Sequence, residues 1–270
     1  MAAYQELSNE QLRRVAPSIF ATEAYKDVSD KYAFIPTIDV VEALRKEGFF
    51  PVRASQSLTR IAGKGEFAKH MLRFRRADDR TGVKVFGAEI PEVVMVNSHD
   101  RSSSFQLSAG IFRFVCSNGM TVKSGNLGDI SVRHIGNITD EVIEGSYKII
   151  SDMPLVMEQI KQFKGIELRP EQQLAYASAA MQLRYPDVEG KRTAPILDQQ
   201  LLQVRRLVDN RPDLWTTFNR VQENFIKGGL AARTTTNKRT TTRKIASVTE
   251  DLRLNKALWL LTEKMAELAS

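Results

Sequence analysis

The chain has little cysteine and no long apolar run. Its 270 residues include one cysteine, Cys116, which excludes an intrachain disulfide framework and zinc sites built from cysteine alone and fits a reducing compartment. The first residues lack a basic stretch followed by an apolar core, so no secretory signal is expected. No apolar run approaches the ~18 residues that span a bilayer. We therefore expect a soluble cytoplasmic protein with no membrane partner.

The sequence also lacks the short motifs of common cofactor and metal sites. The segment "GKGEF" (63–67) has neither the glycine spacing nor the Ser or Thr of a P-loop, and no Gly-x-Ser-x-Gly elbow occurs. The three histidines, His70, His99 and His134, show no ligand spacing. We expect no cofactor and no metal, we assign no catalytic residue, and we favour a protein that is not an enzyme.

What the chain does have is enough apolar material for a core and a moderate positive charge. Hydrophobic residues make up 42% of it, which suffices for one large domain or two modest ones. The 39 basic residues outnumber the 32 acidic ones and give a net charge of +7. This excess permits nucleic-acid binding without requiring it.

The character of the chain changes near residue 138. Before it, short apolar runs are separated by Gly, Ser, Asn and Asp; after it, longer segments show helical spacing. Strands followed by helices are typical of an α+β architecture. We predict a curved antiparallel β-sheet with two short N-terminal helices in residues 1–137. We predict a mainly helical region in residues 138–270, packed on the sheet as one unit.

Several helix boundaries are predicted from caps and prolines. Ser8, with Gln11 three residues on, has the pattern of a capping box. Pro154 should end or kink the first long helix of the second half, and Pro170 should begin the next. A further helix is predicted over "APILDQQLLQVRRLV" (194–208).

The strands of the first half carry arginines at alternate positions. In "HMLRFRRAD" (70–78) apolar residues alternate with arginines, which predicts an antiparallel strand with one buried and one polar face. Such a polar face could track a phosphate backbone, or its arginines could pair with acidic residues of a helix. The residues expected at a nucleic-acid interface on these faces are Arg73, Arg75, Arg113 and Lys123.

The stretch "IFRFVCSNGM" (111–120) contains the single cysteine. Cys116 alternates with two phenylalanines in a strand-like run, so we interpret it as a buried apolar residue. The pair Asn118-Gly119 predicts a type I′ hairpin turn, because both residues tolerate positive φ. An enzyme that uses Cys116 with His99 and Asp100 stays open as an alternative.

The segment "GGLAARTTTNKRTTTRK" (228–244) is the strongest candidate for function. Its glycines and six threonines predict a mobile polar loop, and the residues from Arg220 to Lys244 together carry a net charge of +6. Lysine and arginine charge with threonine hydroxyls suits contact with phosphates. A solvated basic loop, or one that binds an acidic protein, is the alternative. The expected nucleic-acid contacts in this segment are Arg233, Lys238, Arg239, Arg243 and Lys244.

Three short motifs resemble a known family. They are similar to the hallmark segments of phage- or plasmid-like proteins classed as a domain of unknown function. The motifs are residues 97–100 (Asn-Ser-His-Asp), residues 114–119 (Phe-Val-Cys-Ser-Asn-Gly) and the pair of segments "TTTR" and "LNKALW" in residues 240–259. The resemblance extends from about residue 30 to the end. It implies a gene on a mobile element, and it carries no reaction and no catalytic residue.

Together these observations favour a DNA-binding accessory protein of a phage or plasmid. It would act in replication, recombination or single-strand annealing through sequence-independent contacts with the phosphate backbone. We expect DNA as the partner, single-stranded rather than double-stranded, and possible homo-oligomers. The alternatives are a protein-binding inhibitor of a host defence system and the enzyme above.

Overall fold

The chain folds into two compact units. The computed structural model describes residues 6–26, 34–76, 89–113, 118–122, 130–132, 138–234 and 236–269. The strand unit is Met1–Pro154 and the helical unit is Leu155–Ser270. Strands dominate the first half and helices the second, so the α+β prediction is confirmed.

The strand unit begins with two short helices, α1 (Asn9–Val15) and α2 (Thr37–Lys46). A 3₁₀ turn over Pro17–Phe20 follows α1. The predicted capping box starts α1: the Gln11 backbone N–H donates to the Ser8 side chain, and the Ser8 N–H donates to Gln11 Oε1 at 2.8 Å. The cap satisfies backbone donors that the first helical turn leaves without partners.

In the described part of this unit, six strands form one antiparallel sheet. Their bounds are β1 (Phe49–Gln56), β2 (His70–Arg76), β3 (Glu89–Asn97), β4 (Phe105–Arg113), β5 (Asn118–Thr121) and β6 (Ile130–Val132). A 3₁₀ turn, Gly65–Phe67, precedes β2. The strands pair in the order β1-β2-β3-β4-β5, and β6 pairs with β4 near its start. The most apolar strand, β3, is central, as its continuous apolar run suggests.

One face of the sheet forms the core of the strand unit. Leu72, Phe74, Met95 and Leu107 are each fully buried, and burying such a side chain contributes roughly 1.5–3 kcal/mol. The long helix α3 (Ile138–Gly165) begins in this unit.

The hairpin of β4 and β5 differs from the prediction. Arg113 pairs with Asn118 and Phe112 with Gly119, so Asn118 and Gly119 begin β5 and the predicted turn at that pair is wrong. Residues 114–117, between the two strands, lie outside the described residues, and Cys116 is one of them. Gly119 has a steric role instead: a Cβ there would lie 2.6 Å from Arg73 Cζ.

The helical unit contains the end of α3 and three further helices, α4 (Pro170–Arg184), α5 (Leu214–Lys227) and α6 (Val248–Ala269). Pro170 opens α4 as predicted. Helix α3 continues through Pro154 to Gly165, so of the two outcomes predicted at Pro154, an end or a kink, the end is wrong.

An aromatic cluster fills the core of the helical unit. Trp215 stacks on Phe218 with ring centroids 5.3 Å apart, and Trp259 meets both rings edge-on at 6.2 and 6.1 Å. Edge-to-face and offset-stacked pairs at these distances add to the stabilisation from buried area. No helix in the described part of the chain is both long and apolar enough to cross a membrane.

The predicted helix over 194–208 is wrong. Two 3₁₀ turns, Asp198–Leu202 and Leu207–Asp209, occupy this region. The reason is tertiary: Asn224 Nδ2 on α5 donates to the carbonyl oxygens of Leu201 and Gln203 at 2.8 and 3.0 Å. These bonds replace those that a continuous helix would make.

Candidate functional site

The basic segment 228–244 folds into a β-hairpin. Strand β7 (Ala231–Arg233) pairs antiparallel with β8 (Arg239–Thr241), and Arg233 lies directly opposite Arg239. The prediction of a loop throughout the segment is therefore wrong for residues 231–233 and 239–241, which are strands; residue 235 is not described. We call residues 228–244 the basic hairpin.

Gly228 fixes the base of the basic hairpin. Gly228 directly follows the last residue of α5 and has a φ of +62°. A Cβ there would lie 2.6 Å from the Thr242 carbonyl oxygen and 2.6 Å from the Arg243 carbonyl carbon. The Gly229 N–H then donates to the Thr242 carbonyl at 2.8 Å. A residue with a side chain fits neither the dihedral nor the space.

The base is also tied to helix α4. The Arg184 guanidinium donates to the carbonyl oxygens of Phe225, at the end of α5, and of Arg243, after β8. One side chain thus joins the end of α5 to the residues that follow β8, which holds the base of the basic hairpin on the helices.

The tip of the basic hairpin is hydrogen-bonded internally. Thr234 Oγ1 accepts from the Lys238 N–H at 3.0 Å, and the Asn237 N–H donates to the Thr234 carbonyl at 2.8 Å. Asn237 has φ +62°, which asparagine tolerates better than most residues. Arg233 Nη1 donates to Asn237 Oδ1 at 2.9 Å.

The cations predicted in this segment are all exposed: Arg233, Lys238, Arg239, Arg243 and Lys244. Within the described residues none of the five pairs with a carboxylate. Like charges directly opposite each other in a two-stranded ribbon repel, so the pair Arg233 and Arg239 is unfavourable alone and would be stabilised by an anion.

A groove of about 660 Å³ lies between the basic hairpin and residues 192–200. Three arginines line it, Arg192, Arg233 and Arg239. The remaining wall is mostly apolar and is formed by Ala194, Pro195, Ile196, Leu197, Ala231 and Ala232. Its volume lies in the range of small-molecule sites, which combine an apolar lining with a few placed polar groups.

Comparison with known proteins places the chain in a family. The profile of the domain of unknown function DUF932 matches residues 24–259. The chain belongs to the DUF932 family. It is 39% identical over 259 residues to the UPF0380 protein YafZ of Escherichia coli (strain K12), covering 96% of this chain and 91% of that protein. The UPF0380 protein YfjQ of the same strain matches with the same identity and coverage. No solved structure matches significantly.

In this DUF932 chain the three sheet arginines predicted at the interface are buried. Arg73, Arg75 and Arg113 are 1%, 3% and 4% exposed. Arg75 donates through Nε and Nη2 to Glu92 Oε1 at 2.9 and 2.7 Å, and Arg73 Nη1 donates to Glu92 Oε2 at 3.2 Å. The alternation that suggested a polar surface instead reflects a buried charge cluster whose acid lies on the neighbouring strand β3.

Lys123, the remaining predicted contact on the sheet, lies outside the described residues, as do Cys116 and His134. His99 is fully buried, and its Nε2 lies 3.1 Å from Thr37 Oγ1. Asp100 pairs with Lys64 at 3.3 Å. Partial burial acts to raise the pKa of Asp100, but hydrogen bonds from Ser102 and Lys64 outweigh it and lower the pKa.

His70 lies beside His99 in the same buried cluster of this DUF932 chain. Thr37 Oγ1 is 2.9 Å from His70 Nε2, and Ser18 Oγ is 2.8 Å from His70 Nδ1. Burial first, and then the neighbouring His99, lower the pKa of His70 to about 3. The ring is therefore neutral near pH 7. In the described part of the chain, no group of three or more His, Cys, Asp or Glu residues could hold a metal.

Two features of the site were missed by sequence reasoning. Arg192 lines the groove although it lies outside the basic hairpin, and no motif in the sequence around it indicates that role. Glu92 had a signal: it is a lone acid within the apolar run "IPEVVMV" (90–96), and a buried acid requires a buried cation.

Proposed function

We propose that this protein binds nucleic acid, with DNA as its partner, through the basic hairpin. The observation that carries the proposal is the set of five exposed cations without carboxylate partners on one short hairpin. Residues 228–244 contain five basic and no acidic residues, set against a net charge of +7 for the whole chain. Positive charge is therefore concentrated there rather than spread evenly.

The mechanism follows from the charge and from the support beneath it. Each cation that neutralises a phosphate releases condensed counterions, so affinity depends on salt and little on base sequence. The hairpin is held at its base by Gly228 and Arg184, so its cations are presented from a defined backbone. A preorganised backbone loses less conformational entropy on binding.

The cellular setting belongs to the same proposal. We propose a cytoplasmic accessory protein of a mobile element that acts in replication, recombination or strand annealing. One hairpin supplies only a few phosphate contacts, and several copies on one strand would add theirs by avidity. We therefore propose that it acts as an oligomer or in multiple copies along the strand.

The test removes charge from the basic hairpin. In the hairpin variant, Lys238, Arg239, Arg243 and Lys244 are replaced by Gln. In the control variant, four exposed lysines outside the hairpin, Lys148, Lys161, Lys164 and Lys264, are replaced by Gln. Both variants lower the net charge from +7 to +3.

Binding is measured by fluorescence anisotropy with a labelled oligodeoxynucleotide at low salt. The hairpin variant should bind at least about tenfold more weakly than the control variant, because the hairpin cations contact phosphate and the four control lysines do not. Equal affinity of the two variants would show that binding follows net charge alone. Absence of binding by the wild type, with capture of an acidic protein through the same cations, would support the inhibitor alternative and refute the proposal.

A further inference from the structure

The groove beside the basic hairpin has the chemistry of a nucleotide site. We propose that it holds one unpaired nucleotide of a single strand, with a phosphate at the arginines and the base against the apolar wall. This inference rests on the proposed function and adds to it the form of nucleic acid that is bound.

The cationic side of the groove suits a phosphodiester. Arg233 and Arg239 are a directly opposed pair on one edge, and Arg192 also lines the groove. Arg192 is oriented by Asp198, which accepts from its Nη2 at 2.7 Å, and by the Ile196 carbonyl at 2.8 Å. Three guanidinium groups with one contacting carboxylate leave a net positive charge, which a bound phosphate would compensate.

The apolar wall suits the flat face of a base. Leu197 is 62% exposed in this structure, although it is a large apolar side chain at the groove. A base that covered it would remove apolar surface from water on both partners, which is favourable by about 25 cal/mol per Å². Contacts between the basic hairpin and phosphate do not by themselves require an apolar wall at this place.

The two walls are joined before any ligand binds. Gln200 Nε2 donates to the Ala231 carbonyl at 2.8 Å, and the Arg233 N–H donates to the Pro195 carbonyl at 3.1 Å. Gln200 Oε1 in turn accepts from the Leu197 N–H at 2.8 Å. These bonds link the segment 195–200 to strand β7, so the width of the groove is set by the fold.

The groove discriminates between single strands and duplexes. In a duplex each base is stacked and paired, so its face cannot enter a side groove unless it leaves the stack at a cost of a few kcal/mol. A single strand has unpaired bases that meet protein surfaces readily. The basic hairpin alone would contact the phosphates of both forms.

The test compares three probes of equal length: an oligothymidylate, an abasic oligomer with the same phosphates, and a duplex. The abasic probe separates contacts to the base from contacts to phosphate. Leu197→Ser removes apolar surface from the groove wall. Leu207→Ser is the matched control, because Leu207 is 92% exposed and does not line the groove. Both leucines are largely exposed, so neither change should disturb folding.

We expect the wild type to bind oligothymidylate at least about fivefold more tightly than the abasic probe. Leu197→Ser should abolish most of that preference, and Leu207→Ser should leave it unchanged. Equal affinity for the thymidylate and abasic probes, or a duplex bound as tightly as the single strand, would overturn the nucleotide site. That failure is distinct from failure of the proposed function, in which removal of the hairpin charges would leave binding to every probe unchanged.

Discussion

Glu92→Gln tests whether the sheet arginines are structural. Glu92 is fully buried and accepts three hydrogen bonds from two arginines, at 2.7, 2.9 and 3.2 Å. The substitution keeps the shape of the side chain and removes its charge, so Arg73 and Arg75 lose their shared counterion. Removing one partner of a buried ion cluster costs about 3–5 kcal/mol, because the charges that remain are desolvated without compensation.

We expect the free energy of unfolding of the strand unit to fall by about this amount. Hydrogen exchange of backbone amides in β2 and β3 measures it directly. Trp215 and Trp259 are the only tryptophans and both lie in the helical unit, so their fluorescence serves as a separate report on that unit.

The matched control is Glu42→Gln in the same unit. Glu42 pairs with Arg45 at 2.8 Å, but its side chain is 45% exposed. Exposed pairs contribute little, so this change should cost less than about 1 kcal/mol. If Glu92→Gln also cost less than about 1 kcal/mol, the two arginines would not depend on a buried counterion, and the assignment of Arg73 and Arg75 as structural residues would be wrong.

Two further predictions concern the buried histidine and the base of the basic hairpin. Because the pKa of His70 is about 3 when folded and about 6.5 when unfolded, its neutral form stabilises the protein at neutral pH. As the pH drops below 6.5 this stabilisation is lost, and at pH 5 the free energy of unfolding is lower by roughly 2 kcal/mol. Denaturation at pH 7 and pH 5 should show this loss in the wild type and a flatter dependence in His70→Asn; equal slopes would contradict it. Gly228→Ala should weaken binding to single-stranded DNA at least about fivefold although the five cations remain, because an alanine there is strained by about 1–3 kcal/mol and displaces the hairpin. The control is Gly165→Ala, whose new Cβ has no atom within 4 Å. Equal binding by both variants would contradict the proposed role of Gly228.

Local signals in the sequence predicted much of the fold. The capping box at Ser8, the proline that opens α4 and the central apolar strand β3 all depend on residues close together in the chain, and all are confirmed. The α+β class follows from the same local patterns, because strand and helix periodicities differ.

The two predictions that the structure corrects here, the polar face of β2 and the helix over 194–208, both depend on a contact partner that is distant in sequence. Period-two alternation in β2 cannot show that Glu92 on β3 neutralises its arginines. The helix predicted over 194–208 is replaced by 3₁₀ turns because Asn224, on another helix, takes up its carbonyls. Tertiary contacts override propensity in both cases.

The candidate site was predicted in part. The five cations of the basic hairpin were identified from composition and are exposed. Their hairpin conformation was missed, because β7 (Ala231–Arg233) carries no β-branched residue and only β8 (Arg239–Thr241) contains threonines. The groove depends on Arg192 and Leu197 meeting strand β7 across some forty residues of chain, and no local pattern reports such a contact.

The most direct test of the account is the salt dependence of binding to a single-stranded oligodeoxynucleotide. For single strands, log K falls with log salt by about 0.7 for each phosphate that is neutralised. The slope for the variant with Gln at Lys238, Arg239, Arg243 and Lys244 should therefore be shallower than that of the wild type by up to about 3. The four-lysine control variant should keep the wild-type slope. Equal slopes for the wild type and the hairpin variant would contradict the claim that the basic hairpin is the nucleic-acid interface.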